Sequence, residues 1–571
     1  MNPRFLHRDF DAAAARRLQE SGIPAALARA LAARGVATEA DLQLRTREIH
    51  APSALTHVEL AGGLLADAID QGRRLLVVAD YDCDGATACA VAVRGLRALG
   101  ADVDFLVPNR FETGYGLTPE VVDLALRHRA GKPDWIITVD NGIASIEGVD
   151  RANELGIAVL VTDHHLPGER LPAARAIVNP NQPGCGFPSK NLAGVGVMFY
   201  VLMQLRAELR ARGRFCEADQ PRLDVLLDLV ALGTVADLVR LDRNNRILVQ
   251  AGIERIRRGA CQPGLLALFR IAGREARKAV ASDLGFALGP RINAAGRLTD
   301  MTLGIECLLA DDFDRADQFA LRLDEINRER RRIESTMQAE AEVALAGADA
   351  QVSGSEFRRT ITLHHEDWHQ GVVGLIASRI KERHHRPTIA FASADGDWLR
   401  GSGRSIEGVH LRDALDRVTK THPGLIAKFG GHAMAAGLTI PKSALEPFIE
   451  AFETAVRETT DPALYAPTLV TDGPLAAEEL TPTLVQAIDG IVWGQGFPQP
   501  LFANEFEILD QRIIKDAHLQ MTVKLGERRL RAMWFRHAET LPPRARLAYR
   551  PVFDEYQGVA RISLFIERQE G

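Results

Sequence analysis

Three short apolar runs in this chain each end in acids or histidines. Leu75-Leu76-Val77-Val78 leads into Asp80-Tyr81-Asp82-Cys83-Asp84-Gly85, Trp135-Ile136-Ile137-Thr138-Val139 into Asp140-Asn141-Gly142, and Ala158-Val159-Leu160-Val161 into Asp163-His164-His165. A further acid, Asp237, closes the apolar stretch Leu223–Leu232 and Gly233-Thr234-Val235-Ala236. An acid at a helix C-terminus opposes the helix dipole, so a chemical reason for it is expected. One Asp after a strand is ordinarily a turn or cap residue. Asp80, Asp82, Asp140, Asp163, His164, His165 and Asp237 together read instead as a metal site with ligands for more than one ion. Carboxylates with imidazoles suit Mn²⁺ or Mg²⁺ better than thiolate-bound zinc. Two such ions about 3.5–4 Å apart can hold a hydroxide nucleophile and withdraw charge from a phosphoryl group.

Phosphate-gripping residues lie further along. Arg400-Gly401-Ser402-Gly403-Arg404-Ser405 offers two guanidiniums, hydroxyls and exposed backbone N–H groups. Gly430-Gly431-His432 allows close backbone approach and adds an imidazole, and Arg291-Ile292-Asn293-Ala294-Ala295-Gly296-Arg297 adds two cations and an amide. Each of these stretches alone also reads as a tight turn with surface arginine. His364, His365, His384 and His385 lack companion acids and read as structural or surface residues. His369 and His410 are read in the same way.

The elements that must position these residues follow from periodicity. Strands are expected at 75–80, 103–108, 135–140, 158–163 and 175–178, with helices between them, for example at 86–99 and 118–129. Strand–helix alternation of this kind builds a doubly wound parallel sheet, whose ligands bind beyond the carboxyl ends of the strands. The acids and histidines sit at those ends.

The expected organisation is a helical segment over 1–55, the parallel-sheet domain over 56–312 and a long connecting helix over 313–346. A second α/β domain follows over 347–455, and an OB-like β-barrel over 456–571. The barrel segment interleaves Lys524, Arg529, Arg531, Trp534, Arg536, Tyr549 and Arg550, a mixture of cations and rings that suits single-stranded nucleic acid or an ordinary barrel core.

Composition sets limits. A chain of 571 residues with 46% hydrophobic and 25% charged residues is globular, and no apolar run approaches the roughly 18 residues of a membrane span. The N-terminus has no signal-peptide core, and six cysteines without a CxxC pair fit a reducing cytoplasm. The net charge of −6 does not exclude a nucleic-acid enzyme, because a local channel decides binding.

DYDCDG, TVDNG, TDHH and GTVADL, in that order, resemble the first four motifs of the DHH phosphoesterase superfamily. RINAAGR, GSGRS and GGHAMAAG narrow the resemblance to its bacterial single-strand-specific exonuclease branch, over about residues 50–455, and the barrel-like tail fits the same branch. The resemblance implies a 5′→3′ exonuclease that releases mononucleotides from single-stranded DNA with two Mn²⁺ or Mg²⁺ ions, in repair and recombination. It places metal at Asp80, Asp82, Asp140, His164 and Asp237, with Asp140 bridging. It gives His165 a phosphate-contacting or supporting position, puts Arg110, Ser402 and Arg404 in a 5′-phosphate pocket, and has His432 contact a substrate phosphate. Many members carry a His where this chain has Leu76, and Asp84 is the expected substitute ligand. The same resemblance implies a single-stranded DNA-binding protein and a RecQ-type helicase as partners. Two rivals stand beside it: a phosphodiesterase of short oligonucleotides or cyclic dinucleotides, and a non-catalytic DNA-binding scaffold.

Overall fold

The structure, a computed structural model, describes residues 2–109, 113–351, 357–394, 396–556 and 559–571. The chain divides into two compact units. One gathers residues 1–37, 328–488 and 500–571, and the other residues 38–327 and 489–499.

The chain opens with a strand, β1 (Arg4–His7), rather than the expected helix. β1 pairs in parallel with a strand near the other end of the sequence, β12 (Thr468–Thr471). Four residues cannot announce a strand by periodicity, and the partner lies far away in sequence. The helices Ala12–Glu20 and Ala25–Ala32 follow as expected.

The catalytic-looking unit is built on five parallel strands: β2 (Arg74–Ala79), β3 (Asp102–Leu106), β4 (Trp135–Val139), β5 (Ala158–Thr162) and β6 (Ala176–Val178). Their order is β3-β2-β4-β5-β6. This is a doubly wound sheet, with its switch point between β2 and β4, where connections leave toward opposite edges. β2, β4 and β5 are buried almost throughout, which explains their continuous apolar runs. The helix Cys83–Ala98 begins directly after the first acid loop, and Asp82 caps it by accepting from the Gly85 N–H. That helix packs against Gly194–Ala211 and Leu227–Ala236, so one core runs from the sheet through three helices.

The helix Phe313–Gln351, slightly longer than expected, carries the chain from one unit into the other. The second unit contains a mixed sheet of β7 (Ile361–His365), β8 (Thr388–Ser393), β9 (Trp398–Arg404), β10 (Lys428–Gly431) and β11 (Ala435–Pro441), in the order β10-β11-β9-β8-β7. It also contains a closed barrel of β13 (Phe502–Ile514), β14 (His518–Leu525), β15 (Arg528–Trp534), β16 (Arg544–Tyr556) and β17 (Val559–Gln569). The barrel closes through a parallel β15–β17 pairing and an antiparallel β13–β16 pairing, the five-stranded arrangement of an OB-fold. No helix among the described residues is long and apolar enough to cross a membrane.

Candidate active site

β2, β4 and β5 end side by side at the switch point, so Asp80, Asp140 and Asp163 leave the sheet at one edge. Asp140 takes a left-handed φ of 63°, a conformation Asp tolerates better than most residues but which must still be held in place. Its N–H donates to the Thr162 carbonyl, and Asn141 Nδ2 donates to the carbonyls of Val78 and Val139, which ties the ends of β2 and β4 together.

Around this edge three overlapping groups bring ligand atoms within 4.8 Å of one another: Asp80 with Asp82 and Asp140; Asp140 with His164 and His165; Asp84 with His164 and Asp237. His164 Nε2 lies 3.1 Å from Asp140 Oδ1, 3.5 Å from Asp237 Oδ2 and 4.0 Å from Asp84 Oδ2. Asp140 Oδ1 and His164 Nε2 are both buried without a hydrogen-bond partner. A hydrogen bond to the Leu192 backbone holds the His164 ring, while burial and the neighbouring His165 lower its pKa to about 4, so the ring is neutral. Two buried lone-pair donors therefore face each other. That arrangement is costly unless a cation or proton lies between them.

The carboxylates show the same tension. Burial, then neighbouring carboxylates, drive Asp140 and Asp237 well above the ordinary range, and burial with Asp82 pushes Asp84 up to about 7. Such oxygen-rich clusters relax when a hard divalent cation enters, so the residues present fit Mn²⁺ or Mg²⁺. Asp84 has a second task. Its Oδ2 accepts from Gly194 N at 2.6 Å and its Oδ1 from Val195 N at 3.0 Å, at the N-terminus of the helix Gly194–Ala211. A Cβ on Gly194 would come within 2.6 Å of the Asp140 Cβ, so only glycine fits between the two acids. The Gly194-Val195-Gly196 run, which alone reads as helix packing, is thus part of the site.

Asp163 supports the ligands instead of joining them. Its Oδ1 accepts from His164 N, His165 N and His165 Nδ1 at 2.7, 3.1 and 2.8 Å, and its Oδ2 from Ile143 N at 2.9 Å. Burial would raise its pKa, but the His165 hydrogen bond and charge outweigh that and hold it low. His165 answers in kind: burial lowers its pKa, yet the bond to Asp163 carries it to about 9, so it is a cation at neutral pH. Sequence reading missed Tyr115, whose hydroxyl lies 3.3–3.4 Å from the His165 ring nitrogens and 3.4 Å from the Asp140 carbonyl. A lone tyrosine in a loop carries no signal by which it could have been found.

The expected substrate residues separate into two kinds. Arg291 is buried, and its guanidinium is committed to Asp324 at 2.9 Å and to the Ala287 carbonyl at 2.6 Å. This pairing ties a residue expected to meet substrate to the helix Phe313–Gln351. Asn293 Oδ1 accepts from Cys83 N at 2.7 Å, and a Cβ on Gly296 would come within 2.0 Å of the Tyr81 carbonyl oxygen. The helix Gly289–Leu298, which ends with Arg297 in its last turn, therefore braces the acid loop. In the second unit, Arg404 Nη1 donates to Ser402 Oγ at 3.1 Å and to the Gly403 carbonyl at 2.8 Å. Both side chains abut Gly374 in the first turn of the helix Val373–His384, where a Cβ would meet Ser402 Oγ at 2.9 Å and Arg404 Nη2 at 3.1 Å. A helix N-terminus beside a guanidinium and a hydroxyl is suited to an anion. Arg400 pairs with Gln370 at 3.2 Å, and His432 is an exposed residue in the β10–β11 turn. Arg110 lies outside the described residues.

Comparison with known proteins follows the same division. The DHH family, N-terminal domain, matches residues 74–234, the DHHA1 domain residues 355–458 and the RecJ OB domain residues 471–568. The single-stranded-DNA-specific exonuclease RecJ of Escherichia coli (strain K12) is 48% identical over 556 residues, covering 95% of this chain and 96% of the relative. The crystal structure of RecJ in complex with Mn²⁺ from Thermus thermophilus superposes with a TM-score of 0.81 at 28% identity, covering 100% of this chain and 79% of that one. The Mg²⁺ complex from the same organism gives 0.76 at 26% identity, covering 100% and 78%.

Proposed function

The chain belongs to the RecJ family of single-stranded-DNA-specific exonucleases, and from that premise we propose that it degrades single-stranded DNA from the 5′ end, releasing mononucleotides by metal-dependent phosphodiester hydrolysis. The observation that carries this reading is the meeting of Asp140 Oδ1 and His164 Nε2, buried and unpartnered, among further acids. Asp80, Asp82, Asp140, His164 and Asp237 would hold two Mn²⁺ or Mg²⁺ ions, which when bound supply Lewis acidity toward the phosphate and the attacking water.

The chain's own residues do the rest. Asp84 fixes the N-terminus of the helix Gly194–Ala211 and keeps Gly194 against Asp140. Asp163 orients His165 and keeps it protonated, so His165 presents a cation to the phosphate, with the Tyr115 hydroxyl within reach of both ring nitrogens. Ser402 and Arg404 contact the terminal phosphate and choose the 5′ end, a role also proposed for Arg110, and His432 adds a phosphate contact. The OB barrel binds the strand by stacking and charge. We place the protein in the cytoplasm, which its unbridged cysteines suit, and extend to it a single-stranded DNA-binding protein and a RecQ-type helicase as partners.

The test is a time course on single-stranded DNA labelled at either end, with Mn²⁺ and then EDTA. Immediate, metal-dependent release of mononucleotide from the 5′ label, with the 3′ label trimmed last, is expected. Tight binding without cleavage would make the chain a scaffold. Hydrolysis confined to the shortest oligonucleotides would make it a small-substrate phosphodiesterase.

A further inference from the structure

Among the described residues, no backbone group meets the backbone of His164 or His165. The β5–β6 ladder ends where Asp163 N donates to the Val178 carbonyl at 3.1 Å. Beyond it, His164 N and His165 N donate to Asp163 Oδ1 at 2.7 and 3.1 Å. Their carbonyls accept from amide side chains, His164 O from Asn181 Nδ2 at 2.6 Å and His165 O from Asn179 Nδ2 at 2.9 Å. A chain that has left its sheet must find other partners for its peptide groups. Here all four are oriented by three side chains, Asp163, Asn179 and Asn181.

Asn179 directly follows β6, so it leaves the sheet at the same edge as the acids. It is fully buried. Its Oδ1 accepts from Asn181 N at 2.7 Å, which closes an Asx turn around Pro180. That bond fixes the amide's orientation: with Oδ1 on an N–H, Nδ2 is left for the His165 carbonyl. The same turn presents Asn181 to His164. Lys190 Nζ pins the turn, donating to the carbonyls of Pro180 and Cys185 at 2.6 and 2.7 Å. Gln182 Nε2 donates to the Ile177 carbonyl at 2.7 Å and ties the turn back to β6. The segment 179–190 is therefore braced on both sides of the two amides. An ionised carboxylate could replace neither, since it has no hydrogen to offer a carbonyl.

We propose that Asn179 and Asn181 are positioning residues for the hydrolysis: by holding the two carbonyls they set the peptide planes from which the His164 and His165 rings project. The proposal rests on the metal-dependent reading of this site. A ring's direction follows its Cα–Cβ bond, which turns with the peptide planes on either side. His164 Nε2 stands 3.1 Å from Asp140 Oδ1, and His165 Nδ1 stands 2.8 Å from Asp163 Oδ1. A small turn of either plane would open both separations. A misplacement of about 1 Å in such a site costs on the order of 10²-fold in rate.

The experiment compares full-length wild-type protein with Asn181→Ala, Asn181→Leu and Asn179→Ala. It reads Mn²⁺ affinity by calorimetry, and kcat and KM on 5′-phosphorylated single-stranded DNA at saturating Mn²⁺. Asn153→Ala is the control, because it removes an exposed amide-to-carbonyl bond of the same unit, Nδ2 to the Ala173 carbonyl at 3.0 Å. N181A should weaken Mn²⁺ binding by about 10- to 100-fold and lower kcat by a similar factor, with KM nearly unchanged. N181L, which keeps the shape and removes the donor, should do the same, and N153A should match wild type. N179A should follow N181A; if the loss of the buried amide prevents folding, the half-buried Asn181 decides alone. Loss of folded protein reduces the number of Mn²⁺ sites and not their affinity, so a structural defect is told apart. Unchanged affinity and kcat in N181A and N181L, or a loss confined to KM, would overturn the proposal. A wild-type protein that binds Mn²⁺ without cleaving DNA would overturn the hydrolytic reading instead, and the affinities would still decide the positioning role.

Discussion

Arg34 and Asp472, 438 residues apart, form a buried two-pronged ion pair, with Nη1 on Oδ1 at 2.6 Å and Nη2 on Oδ2 at 2.9 Å. The side chains are 2% and 3% exposed. Asp472 also accepts from Leu501 N at 2.9 Å, just before the barrel's first strand. The pair therefore clamps the N-terminal helices, β12 and the entry to the barrel together. Removing one partner leaves the other charge buried, so Arg34→Ala should destabilise this unit by about 3–5 kcal/mol. Deleting residues 1–37 should do at least as much, because β12 also loses β1. Differential scanning calorimetry would show this as one transition moved well down; a shift under about 1 °C for R34A would mean that the clamp carries no load.

The carboxylate cluster ties stability to pH and to metal. Asp84, at about 7, and Asp140 and Asp237, also raised, have folded pKa values above their unfolded values. Their contribution to the metal-free protein is fully present below the unfolded value, about 3.9, and is lost as pH rises through the folded values. Metal-free protein should therefore lose stability from about pH 4 up through pH 7 and beyond. Divalent cation must displace the same protons, so the rise in Tm caused by Mn²⁺ should grow across that window. Calorimetric titration in two buffers of different ionisation enthalpy should reveal net proton release at pH 7. A Tm gain that is flat with pH would refute the protonation states assigned here. Asp140→Ala should lower cleavage by at least about 10³-fold, roughly 4 kcal/mol, and leave DNA binding nearly intact.

His165 owes its charge to Asp163. With a folded pKa of about 9, its contribution is fully present below the unfolded value and fades as pH rises through about 9. In Asp163→Asn the carboxylate is gone while burial remains, so the His165 pKa should fall toward or below about 6.5. NMR titration of metal-free protein would follow that ring directly. The stability deficit of the variant should be largest below about pH 6.5 and should shrink as pH rises from there through about 9, where the wild-type ring also gives up its proton. An unchanged His165 titration would show that another group holds the proton.

The acids and histidines were legible because buried parallel strands read as unbroken apolar runs, and residues just beyond such runs must gather at one sheet edge. The five barrel strands were legible for a related reason, as short alternating segments between turn signals. Contacts made by folding across long separations were not. Gly194 and Val195 reach Asp84 across 110 and 111 residues through backbone N–H groups, which any sequence possesses. Arg291 looks like a phosphate ligand until Asp324, on another helix, takes its guanidinium. The segment 489–499 lies next to the barrel in sequence but packs with the sheet unit, where Gln495 accepts from Leu241 N at 2.7 Å. Backbone hydrogen bonds leave no trace in residue type, which is why that return was invisible.

Polarity should rest on Arg404 more than on Ser402. Arg404 carries the charge, and it also orients the serine, donating to Ser402 Oγ at 3.1 Å. Arg404→Ala removes both, while Ser402→Ala removes one neutral hydrogen bond and leaves the cation. A charge-assisted contact is worth roughly twice a neutral one. For a 5′-phosphorylated strand, R404A should therefore lower kcat/KM by about 10- to 100-fold, and S402A by only a few-fold. For a 5′-hydroxyl strand neither variant should change the rate much, because the group they recognise is missing. Parallel rate measurements on the two strands separate this role from a structural one, since a folding defect would slow both equally. Equal losses on both strands would remove Arg404 from the choice of end.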